Sequence, residues 1–310
     1  MSDTKLDEVR ISTDKDAELC TLKRVILDGW PDKRTHCPSS VLKYWTFRDE
    51  LTVTDRMIVK GEKMRSSMLE KIHIGHLGIG KCTSRARDVM FWPGMSSDIS
   101  DMVQQCDICL THRSSNNKEP MQPHQIPEQP WQVVATDIFT LDGVDYLVTV
   151  DYYSRFFEVD KLSDTKSITV IRKLKTHFAR YGICQKVVSD NAAQFTSEQF
   201  ITFAREWGFE HTTSSPLYPQ SNGLAEKTVQ TAKRLLRKAK SDNRDPYLAF
   251  LEYRNCPLEC GYSPSQLLMS RRLRSIIPTV KSLLKPQTVN TDIVQDKINI
   301  SPKTLLRSDC

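Results

Sequence analysis

The chain has 310 residues, 39% hydrophobic and 26% charged, with a formal net charge of +6. That composition supports a packed core and excludes wholesale disorder, and the length accommodates two modest domains. The longest apolar runs, such as Tyr146 to Val150, fall far short of the roughly 20 residues a membrane span needs, and no apolar signal segment opens the chain, so the expectation is a nuclear, or nuclear and cytoplasmic, protein without a membrane partner.

Asp16 to Leu27 has helical spacing, with Leu19, Leu22, Val25 and Ile26 on one side, and Gly29-Trp30-Pro31 breaks it. Glu50 to Val53 and Met57 to Lys60 read as a short hairpin around Thr54-Asp55-Arg56. Residues 1–60 are therefore expected to form an N-terminal docking extension. Met64 to Arg113 is helical with interruptions at Gly75 to Gly80 and at Trp92-Pro93-Gly94, giving a small helical domain over 61–114. The four prolines between Ser114 and Pro130, without apolar periodicity, mark a linker assigned to 115–129.

From Trp131 the pattern turns to strands. Val133 to Thr140 and Val144 to Asp151 flank Leu141-Asp142-Gly143, and Phe156 to Lys161 follows. Helices are expected at Thr165 to Tyr181, Ser197 to Trp207, Leu224 to Lys240 and Pro246 to Arg254, with strands at Gln185 to Ser189 and Phe209 to Thr213. This succession predicts an α/β class, a mixed five-stranded sheet flanked by helices, over 130–280, leaving 281–310 as a tail.

Nine cysteines, an odd number, include one tightly spaced pair, Cys106-Asp107-Ile108-Cys109, which suits metal better than a disulfide framework. His73 and His76 lie three apart, so on a helical turn both rings face the same way. After a 29-residue gap come the two thiols. Two imidazoles and two thiolates make a closed tetrahedral zinc site of the structural kind, and zinc would supply folding energy to so small a module. His112, three residues past Cys109, is an alternative ligand to His73. A coincidental Cys-x-x-Cys is the bland alternative.

Three acids stand out by position: Asp137 in the middle of the first strand, Asp190 at the end of the fourth, and Glu226 at the start of the long helix. Each has an ordinary explanation alone, as a hydrogen-bonded strand residue, a turn former and a helix N-terminal acid. Gathered together they would repel one another unless cations neutralised them, and hard oxygen donors select Mg²⁺ or Mn²⁺. Two such ions roughly 4 Å apart would serve an in-line displacement at phosphorus, with Asp137 bridging them. On the same long helix Glu226, Gln230, Lys233, Arg237 and Lys240 recur at steps of three and four, with Lys227 and Arg234 beside them. These cations are the candidate DNA contacts, and would position a phosphate backbone without reading sequence; a merely solvated helix face is the alternative.

Several segments carry a resemblance. Trp131-Gln132 with Asp137, Tyr146-Leu147-Val148 with Val150-Asp151-Tyr152-Tyr153-Ser154-Arg155, Ser189-Asp190-Asn191 with Gln194-Phe195, and Pro219-Gln220-Ser221-Asn222-Gly223 with Ala225-Glu226 resemble integrases of gypsy-type (Ty3-like) retrotransposons and their host-derived relatives. Gly75-His76-Leu77-Gly78, Lys81, Phe91-Trp92-Pro93-Gly94-Met95 and Cys106-x-x-Cys109 match the same family's zinc module. The resemblance implies a ribonuclease-H-like core with Asp137, Asp190 and Glu226 as catalytic acids and ligands of two magnesium or manganese ions. It also implies zinc on His73, His76, Cys106 and Cys109, and assembly as a homo-oligomer on double-stranded DNA. The implied reactions are trimming of 3′ ends by water and joining of those ends to target DNA.

The chain departs from the family in three places. Asn191-Ala192-Ala193 stands where relatives have Asn-Gly-Pro, and an alanine forced to φ > 0 would strain that turn. Lys60 to Met64 runs almost straight into the zinc module. No β-rich DNA-binding region is recognisable in Lys285 to Cys310, so the tail reads as truncated. The competing expectation is an inactive, domesticated integrase derivative that binds DNA or a protein.

Overall fold

The computed structural model describes residues 16–50, 57–58, 62–112, 127–213, 223–277, 279 and 281–287. Helix α1 (Ala17–Asp28) starts where the Asp16 carboxylate accepts the amide protons of Glu18 and Leu19 at 2.9 and 3.1 Å, and stops at Gly29. Its Leu19 and Leu22 pack on Cys37, Val41 and Tyr44, which arrive on 3-10 turns at Arg34–His36 and Ser39–Glu50. Phe91 joins this cluster to the next layer. The hairpin expected around residues 54–56 lies largely outside the described residues. Strand β1 (Met57–Ile58) pairs in parallel with β2 (Met90–Phe91), while 51–56 and 59–60 lie outside the described residues.

Four helices build the zinc module: α2 (Glu62–His73), α3 (Ile79–Arg87), α4 (Met95–Gln104) and α5 (Asp107–Thr111). Its pivot is Trp92, fully buried, whose indole N–H donates to Asp98 at 2.6 Å. Gly94 follows with φ +84, a left-handed turn that a side chain would strain, and starts α4.

The sheet is made by β3 (Val133–Leu141), β4 (Val144–Asp151), β5 (Phe157–Lys161), β6 (Lys186–Ser189) and β7 (Glu210–Thr213). Asp142 and Gly143 both have positive φ, the two-residue turn whose twist suits a hairpin, and so they lock β3 against β4 in register Leu141 opposite Val144. The strand order is β5-β4-β3-β6-β7; β5, β4 and β3 run antiparallel, and β6 and β7 join parallel. This is the expected ribonuclease-H-like mixed sheet. Helices α6 (Ser167–Tyr181), α7 (Ala193–Thr196) and α8 (Glu198–Trp207) are threaded between its later strands; α9 (Gly223–Ser241), α10 (Pro246–Asn255), α11 (Pro264–Met269) and α12 (Lys281–Leu284) follow them. The short helices α7, α11 and α12 escaped the sequence pattern, being too brief to show a period. Among the described residues no helix is long and apolar enough to cross a membrane.

Strand alternation decides what each face meets. Val134, Leu147 and Val187 point to a cluster with Leu174 and Phe178 of α6 and Phe200 and Phe203 of α8. Ala135, Phe139, Val148, Val150 and Val188 point the other way, into a cluster shared with Ala225, Val229, Ala232 and Leu235 of α9. That second cluster also takes in Ile72, Leu77, Ala86, Trp92 and Ile99, so the zinc module and the sheet close over one apolar core rather than two.

Buried polar groups stitch the same seam. Arg85 of α3 pairs with Glu252 of α10 at 3.0 Å, both about 1–2% exposed, and donates also to the Asn255 carbonyl at 3.2 Å and to Ser275 at 2.8 Å. Arg272 reaches Asp88 at 2.6 Å. Removing one member of a buried ion pair leaves the other charge stranded, which costs about 3–5 kcal/mol. Arg85→Met is therefore expected to lower the unfolding free energy by about that much in urea titrations, and Arg85→Met with Glu252→Leu to recover most of it.

Candidate metal centres and the basic helix

Four side chains converge at one end of the seam. His73 closes α2, and His76 follows in a turn with φ +46, its amide bonded to the His73 carbonyl at 2.8 Å. The two rings meet at 4.8 Å because the chain leaves the helix between them, not because both sit on one helical turn. Cys106 caps α5 and Cys109 lies within it. Cys106 Sγ is 3.5 Å from His76 Nδ1, and Cys109 Sγ is 3.4 Å from His73 Nε2 and 3.8 Å from His76 Nδ1. With Zn–N near 2.0 Å and Zn–S near 2.3 Å, the edges of a ligand tetrahedron are roughly 3.3–3.8 Å. The donor set fits zinc. Among the described residues it is the one group of three or more His, Cys, Asp or Glu whose ligand atoms lie within 4.8 Å of one another.

His112, the alternative ligand, turns away to Ser241 Oγ at 3.0 Å. Burial, with the nearby His76 and Lys238 charges, holds the His73 imidazole down at about 4, and burial lowers His76 as well, so both rings are neutral and able to ligate near pH 7. Burial pushes the Cys109 thiol up to about 11, with Lys238 pulling the other way. Cys82, fully buried, lies 4.0 Å from His73 Nδ1, but its thiol is taken by the Leu77 carbonyl at 3.2 Å.

The second centre lies on the sheet face turned toward α9. Asp137 shares the parity of Ala135 and Phe139, and Asp190 that of Val188 just beyond β6, so alternation aims both acids at the helix that carries Glu226 in its first turn. Asp137 is half-buried and accepts its neighbour Ile138's N–H at 2.7 Å. Its carboxyl is raised to about 6, first by burial and then by the negative charges of Asp190 and Glu226, against the pull of Lys233. Asp137 thus feels the charge of the other two acids, but the three carboxylates are not drawn to a common point as the zinc ligands are. Residues 214–222, which lead into Glu226, lie outside the described residues.

Ala192 carries no strain. It has φ −66 and ψ 148, an extended conformation any residue adopts, caps α7, and donates its N–H to Asp190 at 3.2 Å. The φ > 0 feared at this departure from the family pattern is absent, and Ala193 simply begins the helix.

Helix α9 divides its cations. Glu226, Gln230, Arg237 and Lys240 are exposed, and Lys233 between them is half-buried over the Phe139 ring. Lys240 pairs with Asp142 at 2.5 Å. Lys227, also exposed, starts the adjacent stripe. Arg234 on that stripe is half-buried and, with Thr231 and Lys238, lines a cleft of ≈ 600 Å³ against the zinc module. Of the six candidate DNA contacts, Arg234 therefore does not share the open row. Lys238 is buried altogether.

Residues 60–115 match the integrase zinc binding domain family, and residues 127–219 match the integrase core domain family. The chain carries the zinc-binding and core domains of the integrase family. It is 32% identical over 295 residues to an uncharacterized Caenorhabditis elegans protein, K02A2.6, covering 90% of this chain and 23% of that protein. With the Tf2-3 transposon polyprotein of Schizosaccharomyces pombe it shares 30% identity over 190 residues, 56% of this chain and 14% of the polyprotein. The chain thus spans less than a quarter of the length of these curated relatives. Among solved structures it is similar to a chain of the simian T-cell lymphotropic virus intasome, at 23% identity and TM-score 0.44 over 72% of this chain and 80% of that one. The catalytic core domain of BIV integrase aligns at 20% identity and TM-score 0.40, covering 44% of this chain and 93% of that one. The integrase core is a divalent-metal-dependent fold of the polynucleotidyl transferase type, and the integrase zinc module takes zinc.

Sequence reasoning named the four zinc donors but missed Asp242 and Lys238, which reach the same centre from α9 and the turn after it. No spacing rule could have found them, since both contacts span more than 160 positions.

A carboxyl raised in the folded state binds a proton there that the unfolded chain has already lost. Asp137 therefore costs stability once pH exceeds its unfolded value near 4, and the cost is complete above about 6. Asp137→Asn is expected to stabilise the metal-free integrase core at pH 7.5 by on the order of 1–2 kcal/mol, allowing for partial exposure, with the gain vanishing near pH 3.5. Thermal melts in a chelator across that range measure it; a destabilised Asn variant at pH 7.5 would refute the like-charge cluster.

Proposed function

We propose that this chain is a metal-dependent polynucleotidyl transferase that trims 3′ ends of double-stranded DNA and joins them to target DNA, with Asp137, Asp190 and Glu226 as its catalytic acids. The observation that carries the proposal is the placement of Asp137, Asp190 and Glu226 on the face where β3, β6 and α9 meet, within the segment that matches and adjoins the integrase core domain; burial and the other two charges raise the Asp137 carboxyl there. Carboxylates gathered on one face, with Asp137 partly desolvated and only Lys233 pulling against it, favour a hard divalent ion. Magnesium or manganese bound there would activate an attacking oxygen and stabilise the departing one. The acids' part is to hold oxygen donors on rigid elements: a mid-strand residue, a strand end braced by the Ala192 N–H, and the first turn of a 19-residue helix.

Gln230, Lys233, Arg237 and Lys240 continue from Glu226 along the exposed side of α9, with Lys227 beside them, so a duplex laid on that row brings its phosphates to the acids. Assembly on two DNA ends as a homo-oligomer, and residence in the nucleus, belong to the same reading. So does a domain division with the zinc module over 61–114 and the catalytic core over 130–280.

Duplexes mimicking retroelement ends, incubated with the purified chain and Mn²⁺ or Mg²⁺, are expected to yield shortened and joined strands. Asp190→Asn should lower the yield by about 100-fold or more, since displaced metal ligands are poorly tolerated. A zinc-loaded, folded wild-type sample that makes no product would instead support an inactive DNA- or protein-binding derivative. In binding titrations without turnover, Arg237→Ala is expected to flatten the slope of log K against log salt by about 0.9, the loss of one phosphate contact. Arg234→Ala, on the cleft side, should change the slope less.

A further inference from the structure

The four zinc donors all come from residues 73–109, but their outer partners do not. His76 presents Nδ1 to the cysteine sulfurs, and its other ring nitrogen, Nε2, donates to Asp242 Oδ2 at 2.8 Å. Asp242 is itself held by Arg244 Nε at 2.6 Å. The Lys238 ammonium, 8% exposed, donates to the His76 carbonyl at 2.8 Å and to Cys109 Sγ at 3.6 Å. Asp242 follows α9 by one residue, and Lys238 lies in its last turn.

The chemistry of the pair matches a zinc centre. A carboxylate on the far nitrogen of a ligating imidazole fixes the tautomer and ring orientation and makes the ring a better donor. An ammonium beside a thiolate stabilises its negative charge. A buried lysine is costly unless negative charge faces it, and the Cys109 sulfur, as a zinc-bound thiolate, would provide that charge. Zinc with two thiolates and two neutral rings carries no net charge, and Lys238 and Asp242 flank it with one charge of each sign.

We propose that the zinc centre is completed by the catalytic core: Asp242 and Lys238 are positioning residues for zinc, so metal occupancy clamps the far end of the helix whose first turn carries Glu226. Glu226 and Lys238 are about 18 Å apart along one continuous helix. The helix is unbroken and packed on the sheet through Ala225, Val229, Ala232 and Leu235, so anchoring its last turn restrains its first. Arg85 and Glu252 restrain the neighbouring helices in the same relative position. This inference does not depend on DNA chemistry, and its test uses none.

The test is metal affinity of the full chain, measured by competition with a chromophoric chelator for Zn²⁺ and by titration with Co²⁺. Asp242→Asn, nearly isosteric, and Lys238→Met, which keeps the stem, are expected to bind Zn²⁺ about 10–100-fold more weakly than wild type. Arg237→Ala, on the open side of the same helix, should bind normally. Lys238→Met should also shift the sulfur-to-Co²⁺ charge-transfer band, because the N–H···S contact is gone; a loss of packing alone would not move that band. Hydrogen exchange completes the test: chelation of wild type should deprotect the amides of residues 236–241, and in zinc-saturated Asp242→Asn the same amides should exchange faster than in wild type. Wild-type zinc affinity in both variants, or unchanged protection of the end of α9 on chelation, would overturn the proposal.

Discussion

Helix α9 has to answer two opposite electrostatic demands. At its N-terminal turn it adds a third negative charge, Glu226, to a sheet face already holding Asp137 and Asp190, and the cost is written in the raised Asp137 carboxyl. At its C-terminal end it buries a lysine against the backbone and sulfur of the zinc site. Neither demand is met by side chains alone, since carboxylates need cations and a buried ammonium needs anions. A divalent ion at one end and thiolate-bound zinc at the other meet both, and a single stiff helix links them.

The zinc module pays the conformational entropy of folding with little apolar surface of its own. Its helices solve this by closing over the same cluster that covers the sheet, with Trp92, Ile72 and Ile99 in one continuous core with Phe139 and Val229. The buried pair across the seam, Arg85 with Glu252, adds little net stability but disfavours other docking geometries, because displacement strands a charge; buried Arg272 reaches the partly exposed Asp88 across the same seam. The end of α10 and the segment after it contribute to that seam through the Asn255 carbonyl and Ser275, which accept from Arg85, and through Arg272.

Several residues that carried the family resemblance turn out to serve the scaffold. Asp151 accepts the N–H groups of Trp131, Tyr153 and Ser154 at 3.0, 3.3 and 2.9 Å and the Ser154 hydroxyl at 2.5 Å, so it ties the entrance of β3 to the turn after β4. Trp131 in turn donates its indole N–H to the Gly182 carbonyl at 2.9 Å. A buried acid with four donors is satisfied and unavailable for metal. Asp137, with one backbone donor, is not.

Much was legible along the chain because it depends on neighbours in sequence. Alternating apolar residues announced β3 and β4, Asp142-Gly143 their turn, and a His pair with a Cys-x-x-Cys the four zinc donors, since spacing and residue type carry those signals. Folding in three dimensions decided the rest. It chose His73 over His112 by where α5 docks, put Arg234 in a cleft instead of on the open row, paired β1 with β2, and left Ala192 unstrained. It also brought Asp242 and Lys238 to the zinc centre from more than 160 positions away. Periodicity and capping are local properties that a one-dimensional pattern records, whereas the partner of a buried charge is set by which surfaces exclude water together, and that is known only when the chain has closed.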